Sequence, residues 1–161
     1  MKSCLIKRIT LTLAATIFGA LTAFSAPYEK GQAVEAFTAK DQFDNAFIFK
    51  PAETRFLLVS YDMETGKKAN AALTALGKDY LPSKKAVYVA NIFGMPGIGR
   101  MFAIPKMKKY SHRIILTDDA ALIARFPEQK GKVAVLALSG GKITSISYWT
   151  PEAEPVDGLL K

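Results

Sequence analysis

The sequence predicts a single α/β domain built on a mixed β-sheet, with flanking helices and a β-hairpin at either end of the folded region. Three observations carry that expectation. A pair of short apolar runs surrounds a turn-rich segment early in the chain; apolar β-type runs alternate with helical stripes in the middle; and two longer β-runs joined by Gly140-Gly141 close it. Strand–helix–strand alternation needs crossovers and therefore parallel pairing, whereas hairpins pair antiparallel, so the sheet must be mixed.

The first hairpin is read in "EAFTAKDQFDNAFIFK", where Asp41, Asp44 and Asn45 supply the turn chemistry. "RFLLVSY", Arg55 to Tyr61, is a compact apolar run and reads as a buried strand. Ala69, Ala72, Leu73 and Leu76 then recur at helical spacing; Thr65 suits the cap of that helix and Gly77 its end. "KAVYVANIF" is a second strand, ended by "GMPGIG". A helix is expected from about Ile98 with Met101, Phe102 and Met107 inward, and Pro105 predicts a kink or two short pieces. "RIILT", Arg113 to Thr117, is a third buried strand ended by Asp118 and Asp119. "VAVLAL" and "ITSISYW" form the closing hairpin through Gly140-Gly141. The acidic, proline-bearing tail "TPEAEPVDGLLK" is expected to fray or to form one short turn.

Ahead of this domain, Lys2, Lys7 and Arg8 precede an uncharged apolar stretch from Ile9 to Ala23, followed by small residues at Ser25 and Ala26. That pattern predicts a secretory signal peptide over residues 1–25 and a mature domain over 26–161. Cleavage after Ser25 fits better than cleavage after Ala26, which would put Phe24 in a small-residue slot. An uncleaved anchor is the alternative, but the run is short for a span of about 20 residues. An exported, soluble protein is therefore expected. Removing the leader's three basic residues leaves nineteen Lys and Arg against fourteen Asp and Glu, a net charge of +5. In an exported protein this disfavours nucleic acid as a partner and suits solubility or an anionic surface.

The only cysteine is Cys4, within the leader and ahead of its apolar stretch. Thiol–disulfide exchange needs a thiolate, so the mature chain is expected to have no thiol-disulfide oxidoreductase or peroxidase activity. His112 is the only histidine and no cluster of ligand residues accompanies it, so no metal site is expected. Met95, Met101 and Met107 offer thioethers of the kind that suit Cu(I). Six-residue steps rotate about 240° around a helix, so one face does not hold all three, and adaptable core filling is the plainer role.

The order of elements resembles the thioredoxin-like superfamily, specifically its exported branch related to alkyl hydroperoxide reductase/thiol-specific antioxidant proteins. The resemblance lies in the opening hairpin "FTAKDQFDNAFIF", the strand "RFLLVSY" and the closing hairpin "KVAVLALSGGKITSI", and it covers nearly the whole mature chain as architecture. It implies a paired-cysteine site near Met63 to Lys67, where no cysteine occurs. It also implies a proline before the closing hairpin, where this chain has Gly131-Lys132-Val133. The middle segment "AVYVANIFGMPGIGRMFAIPKMKKYSHRIIL" looks like that of a narrower group of exported bacterial proteins, some of which carry a FAD/FMN-containing dehydrogenase label. A dinucleotide loop needs G-x-G-x-x-G, and Gly94, Gly97 and Gly99 have the wrong spacing; Pro96 also removes an N–H. These glycines are expected to make a tight turn, and no cofactor is expected.

Two surfaces remain as candidates. Asp62, Met63, Glu64, Thr65 and Gly66, with Gly94, Pro96 and Gly97, gather loops at the vacated end of the sheet, where a protein or small ligand would bind. The plainer role of Asp62 and Glu64 is to complement the helix dipole. Arg100, Lys106, Lys108, Lys109, His112 and Arg113 form the densest basic stretch and suit an anion or an acidic partner, against the plainer reading of a solvated face. The function expected is non-catalytic binding in an exported compartment, periplasmic by the family resemblance. A flavin-type oxidoreductase and a methionine-based copper-handling protein are the alternatives.

Overall fold

The computed structural model describes residues 26–161; the expected leader and Cys4 lie outside the described residues. Seven strands form one sheet: β1 (Thr38–Asp41), β2 (Ala46–Ile48), β3 (Phe56–Ser60), β4 (Ala86–Asn91), β5 (Ile115–Thr117), β6 (Val133–Ser139) and β7 (Lys142–Trp149), in the spatial order β2-β1-β5-β4-β3-β6-β7. The three central strands β5, β4 and β3 are parallel, and antiparallel pairs flank them on both sides. Both expected hairpins are present. Gly140 and Gly141 take φ of +55° and +82°, the left-handed conformation that a two-residue hairpin turn requires.

Four helices cover the sheet: α1 (Met63–Ala75), α2 (Tyr80–Ser83), α3 (Gly97–Met107) and α4 (Ala120–Ile123). The period-2 alternation of β3 splits its side chains between two cores. Phe56 and Leu58 face Ala69 and Leu73 of α1, with Tyr88, Trp149, Val156 and Leu160. Leu57 and Val59 face Phe49, Ile115, Phe126 and Leu136 on the other side, where the lead segment adds Tyr28 and Val34. A strand buried on both faces must be apolar throughout, which explains the unbroken run in "RFLLVSY"; each fully buried Leu or Val contributes about 1.5–3 kcal/mol.

Several expectations need correction. Helix α1 is capped by Asp62, not Thr65; Thr65 is the residue whose N–H the cap receives. Helix α3 runs unbroken through Pro105 and contributes no buried residue, and Met101 and Phe102 are 69% and 62% exposed. Met101 is therefore not core filler. The third strand is shorter than "RIILT", because Ile114 leaves the ladder to exchange hydrogen bonds with Gln42. The one-turn helices α2 and α4 have too few residues to register a period. For the tail, the second of the two expectations holds. It forms a turn over Val156–Gly158, and Leu160 is fully buried against Trp149, whose indole N–H donates to the Glu154 carbonyl at 2.9 Å.

Candidate functional site

Strand β3 ends at Ser60 and the chain turns into α1. Tyr61 swings to the far face, where its hydroxyl donates to the Pro127 carbonyl at 2.9 Å. Asp62 is extended, and its carboxylate accepts from the Thr65 N–H at 2.8 Å and the Thr65 hydroxyl at 2.7 Å. Burial pushes this carboxyl up, but the bonds from Thr65 and Glu64 and the charge of Lys68 outweigh it and hold it below the ordinary carboxylate range. Asp62 is thus a charged cap, worth about 1 kcal/mol to the helix.

Helices α1 and α3 enclose a cleft of about 170 Å³ at the carboxyl ends of β3 and β4. Small residues create the space: Gly66 on α1, Ala90 on β4, and Gly99 and Ala103 on α3. Met63, Met95, Phe102 and Met107 supply apolar walls, and Lys67 and Lys106 stand one on each helix. Beneath it the Ser60 and Tyr88 hydroxyls share a hydrogen bond of 2.9 Å. Desolvation raises the Tyr88 phenol far above its ordinary value, so this pair stays neutral. Asn70 completes the floor; it is 2% exposed, and its Oδ1 meets His112 Nε2 at 3.0 Å.

His112 is buried between the rings of Tyr88 and Tyr110, and burial pushes its pKa down to about 4. The neutral ring donates from Nε2 to Asn70, which leaves Nδ1 to accept from the Thr74 hydroxyl at 3.4 Å. A buried, uncharged imidazole is no part of an anion patch. Nor are the two arginines free. Arg100 grips both carboxylate oxygens of Asp118 and donates to the Met95 and Ile92 carbonyls, which pins the loop after β4. Arg113 donates to the buried Asp41 carboxylate at 3.0 Å and lies over the Phe47 ring. Lys106 lines the cleft, whereas Lys108 lines a separate groove with Asp41 and Ile104, and Lys109 is an exposed residue lining neither. The basic stretch is therefore not one site.

The other candidate surface also divides. Asp62, Met63 and Gly66 line the cleft. Glu64 and Thr65 border a different depression with Glu128 and Glu152, where Lys68 pairs with Glu64 at 3.3 Å and with Glu152 at 2.9 Å. Gly94, Pro96 and Gly97 lie outside the cleft. Gly94, at φ +76°, makes the expected tight turn, and α3 begins at Gly97. Among the described residues no group of His, Cys, Asp and Glu is placed to hold a metal, and no helix is long and apolar enough to cross a membrane.

Lys67, Asn70, Tyr110 and the Ser60–Tyr88 pair were not among the candidate site residues read from the sequence. A signal was available for the helical ones. Met63, Gly66, Lys67 and Asn70 fall at i, i+3, i+4 and i+7, and Gly99, Phe102, Ala103, Lys106 and Met107 repeat the pattern on α3, with Tyr110 just past its end. Met101 lies one step off that stripe, which is why it faces outward.

A parallel three-strand centre flanked by antiparallel strands, with a helix springing from the end of its first central strand, defines a thioredoxin-like fold. Solved structures agree. The thioredoxin domain of a thiol-disulfide oxidoreductase from Bacteroides vulgatus superposes with a TM-score of 0.54 at 14% identity, covering 83% of this chain and 99% of that one. A peroxidoxin from Mycobacterium tuberculosis gives 0.55 at 12% identity, over 81% and 93%. A peroxiredoxin-like protein from Aquifex aeolicus gives 0.56 at 9% identity, over 85% and 86%. The likeness is one of fold. No protein-family model and no curated protein matches the chain in sequence.

Proposed function

We propose that this protein is an exported, non-catalytic binding protein of thioredoxin-like fold that holds a ligand in the cleft between α1 and α3. The observation that carries the reading is what occupies the start of α1. Met63 and Gly66 open onto an apolar cleft, and with Cys4 the only cysteine in the chain this end of the fold has no thiol. Disulfide exchange and thiol peroxidation both begin with a thiolate. A concave, mostly apolar pocket with a few convergent polar groups is the form that small-molecule sites take. The leader motif supports export, and the family resemblance supports the periplasm.

The flavin label attached to the narrower exported group has less behind it. Gly94, Gly97 and Gly99 lack the G-x-G-x-x-G spacing, and Pro96, the residue before α3, has no N–H to donate. Copper handling by Met95, Met101 and Met107 also loses support, because Met101 points away from the cleft that the other two line. Native mass spectrometry and an absorbance spectrum on protein purified from its host after export test the reading. A chain beginning at Ala26, without flavin absorbance or metal, is expected. A stoichiometric flavin or copper ion would replace the binding-protein reading.

A further inference from the structure

The cleft is polarised along its length. Because β3, β4 and β5 are parallel, α1 and α3 both run from the carboxyl end of one strand back toward the amino end of the next. Their residues therefore follow one another in the same direction. Met63, Met95, Gly99 and Phe102 come first, at the strand end of the cleft; the exposed Lys67 and Lys106 and the buried Asn70 come further along it, beside Met107 and Tyr110.

The polar end is composed of donors. Lys67 and Lys106 make no ion pair among the described residues. Asn70 spends its Oδ1 on His112, and its Nδ2 makes no hydrogen bond to another described residue. Asn70 is one of the residues that line the cleft. The one acidic lining residue, Asp62, sits at the mouth with its oxygens committed to Thr65. Two exposed ammonium groups and the Asn70 amide at one end, with the thioethers of Met63 and Met95 and the Phe102 ring at the other, are complementary to an anion carried on an apolar body. The size is also bounded: a cavity of about 150 Å³ accommodates benzene, so 170 Å³ takes a body of about six carbons, with more chain able to leave through the mouth.

Resting on the binding-protein reading above, we infer that the cleft takes a small amphipathic monocarboxylate. Its carboxylate lies among Lys67, Asn70 and Lys106, and its apolar body lies against Met63, Met95 and Phe102. The methionines adapt to bodies of differing shape, so the head group is the more stringent requirement.

The test uses the exported chain labelled at its methionine methyl groups and titrated with hexanoate, 1-hexanol and hexylammonium. Hexanoate shifts the Met63, Met95 and Met107 methyls, while Met101, 69% exposed and off the cleft, serves as the internal control. Hexanol binds roughly tenfold more weakly. Lys67→Gln and Lys106→Gln each weaken hexanoate roughly threefold, the scale of one exposed ion pair, and leave hexanol unchanged. Equal binding of hexanoate and hexanol, tighter binding of hexylammonium, or hexanoate affinity unaffected by both substitutions overturns the anion assignment and leaves the cleft as a binding site. If none of the three probes shifts Met63, Met95 or Met107 more than Met101, both the assignment and the underlying reading fall.

Discussion

Lowering the pH from 6.5 toward 4 should destabilise this fold, and His112 is the reason. In the unfolded chain this imidazole takes up a proton near its ordinary pKa of 6.5; in the folded protein burial delays protonation to about 4. Between those values the unfolded state binds more protons than the folded one, so the free energy of unfolding falls with falling pH. The contribution is fully present above 6.5 and is lost as the pH drops toward 4. The slope approaches about 1.4 kcal/mol per pH unit, and the whole window removes about 3 kcal/mol. Asn70, Thr74, Tyr88 and Tyr110 surround the ring, and no carboxylate or ammonium group is among these contacts. Asp41 and Asp62, whose carboxyls are held below their ordinary 3.8, act only at lower pH. Urea denaturation at half-unit pH steps measures the slope, and His112→Gln should flatten it between 6.5 and 4.5. Since His112 is the only histidine, its Cε1 proton is an unambiguous NMR reporter of the folded protein. A folded-state titration near 6.5 would refute the reasoning outright, whatever the fate of the variant.

Three further outcomes follow from the same structure. Gly66→Ala places a Cβ 3.7 Å from Ser60 Oγ and 3.9 Å from the Tyr88 hydroxyl, which is ordinary contact. It should therefore stabilise α1 by about 0.5–1 kcal/mol in thermal denaturation while weakening hexanoate in the cleft; a lower Tm would contradict the space described. Asp41 is 4% exposed and accepts bonds from the Phe43 and Asn45 N–H groups, the Asn45 amide and Arg113. Asp41→Asn turns an amide donor toward those donors and should cost about 2–3 kcal/mol by urea titration, so a loss under about 0.5 kcal/mol would show the network to be dispensable. Leu160→Ala empties a fully buried position beside Trp149 and should cost about 2–4 kcal/mol. The emission of that single tryptophan reports the unfolding midpoint, and an unchanged midpoint would mean that the tail does not dock.

The alternation of apolar runs and helical stripes, the turn residues of both hairpins and the absence of cysteine after Cys4 were legible in the amino-acid sequence. Each rests on local chemistry: side-chain period, the left-handed backbone of Gly140-Gly141, and the thiol that exchange reactions require. From these came the mixed sheet, the likeness to a thioredoxin-like fold and the exclusion of its redox chemistry. The candidate site was legible only in part. Met63 and Gly66, named from the sequence, line the cleft because they sit at a strand-to-helix junction, whose position follows from order along the chain.

What tertiary structure decided is which charges remain free. Arg100, Arg113 and His112 look in sequence like members of one basic stretch with Lys106. Arg100 is committed to Asp118, eighteen residues on; Arg113 is committed to Asp41, seventy-two residues back; and His112 is buried against Asn70 of α1. Local pattern does not reveal such partners, because Coulomb and hydrogen-bond energies act across space between elements that the sheet brings together. The same packing left Lys67 and Lys106, thirty-nine residues apart in sequence, on the two helices of one cleft, and turned Asn70 from an unremarked helix position into part of its lining.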